Sequence, residues 1–144
     1  MAPLQKCALY SLGIGIVFAI ALVMVFILKD ITTFDEDLGF RMMVYALWVG
    51  VPLVYLIMVN LTLRKPKQID ERDRLIIAKA PRVQYLAVLF SLVAWTIVLT
   101  EAFRDQGQVP IIYLTLIMIS TLIISTIAQS AGILIGYGRS VSNG

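Results

Sequence analysis

Residues 7–28 read CALYSLGIGIVFAIALVMVFIL, a run without a single charged side chain. A helix crossing the roughly 30 Å of bilayer hydrocarbon needs about 20 such residues at 1.5 Å each. Lys6 precedes the run, as a basic residue precedes the core of a secretory leader. The stretch nevertheless outlasts a typical leader core of about 7–15 residues, and it ends at Lys29-Asp30 without a small-x-small cleavage pattern. It is expected to be a retained transmembrane helix. Three further stretches have the same character: Met42–Leu63, Val83–Phe103 and Pro110–Tyr137. Glu101, at the end of the third, is the one carboxylate among them. A charge at mid-span costs about 2.5–3.5 kcal/mol on the insertion scale, so runs this clean suit lipid contact on every side. Membrane strands are shorter, about ten residues, and alternate polar with apolar, which these runs do not.

The bulk numbers agree. Of 144 residues, 60% are hydrophobic and 15% charged, with a mean hydropathy of +0.90. A soluble domain is about half apolar and about a quarter charged. The expected fold class is all-α: one polytopic domain over residues 1–144, an integral membrane four-helix bundle with short loops and a juxtamembrane cytoplasmic helix. Histidine is absent and Cys7 is the only cysteine. An intrachain disulfide is therefore impossible, and most zinc, haem and nucleophile–base arrangements lose their residues. No catalytic residue, metal site or cofactor is expected.

Charge placement gives the orientation. Arg64, Lys65, Lys67, Arg72, Arg74, Lys79 and Arg82 crowd the segment between the second and third runs, and Lys6 and Arg139 flank the termini. Lys29, Arg41 and Arg104 lie on the opposite side, among Asp30, Asp35, Glu36, Asp37, Glu101 and Asp105. The positive-inside rule puts both termini and the 64–82 loop in the cytoplasm of a cell with this protein in its inner (plasma) membrane. A net charge of +3 distributed in this way points to a membrane surface and not to nucleic acid. The acidic loop is expected to be solvated, without the ligand spacing of a calcium loop. Tyr10, Tyr85 and Tyr137 fall where interfacial aromatics would sit, whereas Trp48 and Trp95 lie deeper and read as packing residues.

The central segment, RKPKQIDERDRLIIAKAPR over 64–82, carries the most local information. Asp70 reads as a helix N-cap, with Glu71 and Asp73 in the first turn, where the helix dipole favours acids. Leu75, Ile76, Ile77, Ala78 and Ala80 are apolar, while Arg72, Arg74, Lys79 and Arg82 are basic. A short helix of this kind lies at the inner headgroups, its basic residues on anionic lipid at about 1 kcal/mol per well-placed cation, or leads straight into the third span. Pro81, lacking an N–H, should kink or break it. The series Asp70-Glu71-Arg72-Asp73, then Leu75, Ile76 and Lys79-Ala80, resembles the signature of a family of uncharacterised prokaryotic membrane proteins with D-E-R-D/E-x-I/L between paired hydrophobic helices. The likeness spans Ile69–Arg139. It implies a four-helix bundle with a juxtamembrane acidic-basic motif, and it brings no activity with it.

Packing surfaces show as small residues. Cys7, Ser11, Gly15 and Ala19 form a four-residue-spaced stripe on the first helix, and Ala128, Gly132 and Gly136 form another on the fourth. Backbones approach closely at such stripes in lipid, so these two helices are expected to meet, within the chain or between copies. Thr121, Ser125 and Gln129 extend the second stripe. Gln129 is expected to make an interhelical hydrogen bond of about 1 kcal/mol, or to find hydroxyls on its own helix. Pro52, after Gly50, should kink the second helix, and Pro110 fits the first turn of the fourth.

The functional class that fits best is a structural or regulatory membrane subunit, acting through helix faces and the central loop on a homo-oligomer or a membrane-protein partner. An oligomeric channel, transporter or holin-like pore is the alternative. Small multidrug exporters also have four helices, but they need a carboxylate within the first, and here there is none. Membrane enzymes that use glutathione need charges inside the bundle, whereas this chain keeps its charges outside.

Overall fold

In lipid, every backbone N–H and C=O must find its partner within the protein, and long apolar runs meet that demand by propagating as helix. The computed structural model describes residues 3–28, 34, 36–62 and 71–142. Its helices are α1 (Pro3–Leu28), α2 (Leu38–Thr62), α3 (Glu71–Ala102) and α4 (Ile112–Ser142). All four are long and apolar enough to cross a membrane.

The helix ends depart from the sequence expectations in informative ways. The juxtamembrane helix and the third span are one element, α3, of 32 residues. That is about 48 Å at 1.5 Å per residue, well beyond the hydrocarbon thickness. Pro81 does not break it. The residue is exposed, so the carbonyl that loses its donor one turn earlier lies on the outer side of the helix, where it can be satisfied from outside the chain. The cap expected at Asp70 lies outside the described residues, as do residues 63–69 and the acidic residues Asp30 and Asp35.

Asp37 is not simply a solvated loop acid. It caps α2, its Oδ1 accepting the Phe40 N–H at 3.2 Å and its carbonyl the Arg41 N–H at 3.1 Å. At the far end of α3 the Phe103 carbonyl accepts N–H bonds from Gln106 and Gly107, both 3.2 Å. Gly107 has φ +64°, a left-handed conformation that glycine adopts without a Cβ clash. Pro110 stands two residues before α4 and not in its first turn; its carbonyl accepts the Tyr113 N–H at 3.1 Å.

The helices do not surround a common centre. α4 is the hub: α3 packs along it on one side and α1 on another, while α2 leans mainly on α1 and reaches α4 over a short stretch. The main core lies where α1, α2 and α4 converge, with Phe40, Val44 and Val51 of α2 against Leu116, Ile119 and Ile123 of α4. Phe26 of α1 meets Phe40 edge-on at 5.6 Å, and Phe34 meets Phe40 in the same way at 5.7 Å. A smaller cluster of Leu4, Ile76 and Tyr137 closes the opposite end. Thus α3 is a flank helix, and most of its circumference, including Leu86, Leu89, Phe90, Val93 and Ile97, is exposed.

Candidate functional site

The most densely built feature is the α3–α4 seam. Its α3 side begins with Asp73, Gln84 and Trp95 at 11-residue spacing. Eleven residues make three turns of helix, so all three fall on one stripe. Each forms a side-chain hydrogen bond to α4. The Tyr137 phenol donates to the Asp73 carboxylate, the Gln84 Nε2 donates to Ser125 Oγ at 2.7 Å, and the Trp95 Nε1 donates to Ser120 Oγ at 2.8 Å. The partners run backwards along α4 as α3 runs forwards, which fixes an antiparallel register. In a low-dielectric setting an unpaired donor or carboxylate is costly, so these three links define one docking position and penalise slippage.

Between the links, glycines allow close approach. A Cβ placed on Gly132 would lie 3.3 Å from Val83 Cβ and 3.4 Å from the Ala80 backbone. One placed on Gly136 would lie 2.8 Å from Ile76 Cγ2. The G-x-x-x-G face of α4 therefore meets the first turns of α3 within the same chain, not α1. The stripe on α1 also faces α4: Ser11 and Gly15 are buried, Ala19 packs at the edge of the main core, and a Cβ on Gly15 would lie 2.7 Å from Ile127 Cγ1. Helices α1 and α4 do touch, but through a different face of α4 from the one its glycines mark.

The juxtamembrane motif divides between two sides. Glu71 and Arg72 open the helix. Asp73 turns inward at 4% exposure, next to Ile76 and Ala80, while Arg74, Lys79 and Arg82 are exposed. Asp73 is thus more than a dipole-favoured acid: it bonds the start of α3 to the end of α4. Tyr137, expected in an interfacial belt, is instead 6% exposed as its partner, whereas Tyr10 and Tyr85 do point outward. The 11-residue spacing of the polar residues on α3 was the signal that could have revealed this seam from sequence.

Gln129 does not rely on hydroxyls of its own helix. Its Oε1 accepts the Tyr55 O–H at 2.8 Å, tying α2 to α4. The neighbouring hydroxyls turn to their own backbone, Thr126 to the Leu122 carbonyl at 2.9 Å and Ser130 to the Thr126 carbonyl at 2.8 Å. Thr121 Oγ1 is buried without a partner among the described residues. Trp95 packs as expected of a deep tryptophan, while Trp48 is exposed beside Pro52 in a shallow apolar groove. Glu101 and Arg104 are both exposed and form no ion pair among the described residues.

No family model, curated protein or solved structure matches the chain.

Proposed function

We propose that the protein is a multi-pass subunit of the inner (plasma) membrane of a prokaryotic cell, with both termini and the 64–82 loop cytoplasmic, and that it acts by binding another membrane protein or a second copy of itself. The resemblance of Asp70–Asp73 and the residues after it to a family of prokaryotic membrane proteins belongs to the same reading. The observation that carries it is the position of α3. This helix is anchored to α4 by three polar links and two glycine contacts, yet it turns a long apolar face away from the rest of the chain. A helix fixed so firmly on one side and so bare on the other is suited to present a surface within the bilayer. Its first turns add Arg74, Lys79 and Arg82 at the cytoplasmic headgroups, where anionic lipid would hold them.

The pore reading draws less support. A pore lined by the hydroxyl face of α4 would draw on Ser120, Ser125, Thr126 and Ser130, which already have partners within the chain, leaving Thr121 as the hydroxyl without one among the described residues. Nor is a catalytic constellation assembled in the seam, whose polar groups pair with one another. The deciding experiment is gentle purification from the native membrane followed by identification of whatever co-purifies. A stoichiometric membrane protein, or a discrete homo-oligomer without ion flux in liposomes, is expected. A homo-oligomer that conducts would replace this reading with the pore.

A further inference from the structure

Beyond the seam, a groove of about 600 Å³ opens where the last turns of α3 meet the turn into α4, a size typical of small-molecule sites. Its walls are apolar: Leu92, Leu99, Phe103, Val109 and Ile117. The side-chain donors along those walls are already engaged. The Trp95 indole N–H is held by Ser120 Oγ, and the hydroxyls of Thr96 and Thr100 donate to the carbonyls of Leu92 and Thr96 at 2.8 and 2.7 Å. The charged side chain of the lining, Arg104, stands at one end, in the turn that also contributes Gln108. The Arg104 guanidinium has no hydrogen bond or ion pair among the described residues.

An apolar trough with a cation at its rim fits an amphiphile. A sugar or nucleotide would need several polar partners along its depth, whereas these walls are mostly apolar. Two other grooves, one along Trp48, Pro52 and Leu56 and one along Leu9, Gly13 and Val54, have no charged side chain in their linings. The headgroup follows from charge. Arg104 would take a phosphate, while Glu101, one turn earlier, and Asp105, next in sequence, are exposed carboxylates flanking Arg104 outside the groove's own lining. They repel a net anion and attract an ammonium.

We propose that this groove holds one acyl chain of a zwitterionic phospholipid of the phosphatidylethanolamine type, with its phosphate on Arg104 and its ammonium toward Glu101 and Asp105. The site lies at the end opposite the 64–82 loop, and so in the extracytoplasmic leaflet. This inference rests on the membrane reading above.

The test is native mass spectrometry of the full chain, released from vesicles holding equal amounts of phosphatidylethanolamine and phosphatidylglycerol with matched acyl chains. Retention of one phosphatidylethanolamine, several-fold over phosphatidylglycerol, is expected. Arg104→Gln should lower that retention about tenfold, the usual scale for losing a charge-assisted hydrogen bond. Thr96→Trp, at an exposed wall position, should fill the trough and give the same loss with Arg104 intact. Equal retention of both lipids, or an Arg104→Gln variant that holds lipid as wild type does, overturns the proposal. Alkaline carbonate extraction of the same cells separates the two readings. A chain that stays in the membrane without selective lipid defeats this inference alone, whereas a chain released by carbonate defeats the membrane reading as well.

Discussion

Replacing single glycines by alanine gives a graded test of the helix contacts, because the glycines differ sharply in what an added methyl would meet. At Gly136 the nearest atom would be Ile76 Cγ2 at 2.8 Å, and at Gly15 it would be Ile127 Cγ1 at 2.7 Å. Neither is the far end of a flexible chain. Both are attached directly to the Cβ of isoleucine, whose χ1 is held to one strongly preferred rotamer in a helix. The methyl therefore pushes helices apart instead of displacing a side chain. Overpacking of this kind costs about 1–3 kcal/mol, and alanine's better helix propensity returns up to about 1 kcal/mol. Gly136→Ala and Gly15→Ala should lower stability by a net of about 0–3 kcal/mol. At Gly13 and Gly138 nothing lies within 4 Å of the added atom, so alanine there should be neutral or stabilising by up to about 1 kcal/mol. Gly132→Ala should fall between, since its contacts at 3.3–3.4 Å include backbone of Ala80. Reversible unfolding in mixed micelles with rising dodecyl sulfate, followed by tryptophan fluorescence, measures the order. A Gly136→Ala variant as stable as Gly138→Ala would refute the α3–α4 docking described above.

Two further outcomes follow from the same geometry. Tyr137→Phe leaves the Asp73 carboxylate buried without its phenol donor and should cost about 1.5–3 kcal/mol; in a double-mutant cycle with Asp73→Asn, the same unfolding assay should show coupling, and strict additivity would deny the pair. For topology, Lys79→Cys and Gln108→Cys are exposed positions at opposite ends, so a membrane-impermeant maleimide added to intact cells should label the second and not the first, and the reverse pattern would invert the orientation.

Much of the architecture was legible because it depends on local sums. Whether about 20 consecutive residues are apolar enough for hydrocarbon is answered within the segment itself, and each of the four runs lies largely within one of four helices. Helix ends were harder. Pro81 argues locally for a break, but an exposed position, where the freed carbonyl can find a partner outside the chain, removes most of the reason for one. Asp37 looked like one acid among several until its spacing to the Phe40 amide made it a cap.

Which faces meet is another matter. The stripe of Ala128, Gly132 and Gly136 declares that some backbone comes close, yet a glycine accepts any neighbour equally well. Sequence left α1 and a second copy as candidates, and the docked structure chose α3. That choice is made by long-range complementarity: Ile76, Ala80 and Val83 fit the glycine gaps only in the register where Asp73 meets Tyr137, Gln84 meets Ser125 and Trp95 meets Ser120. Gln129 found Tyr55 for the same reason, since a buried carboxamide needs a donor and only the packed bundle brings one within 2.8 Å. Sequence alone determined that four apolar helices form and where the charge lies, because hydrophobic length and charge are properties of segments. Tertiary structure decided which helix is the hub and which is left bare at the flank, because pairing depends on steric and hydrogen-bonding fit between residues far apart in the chain.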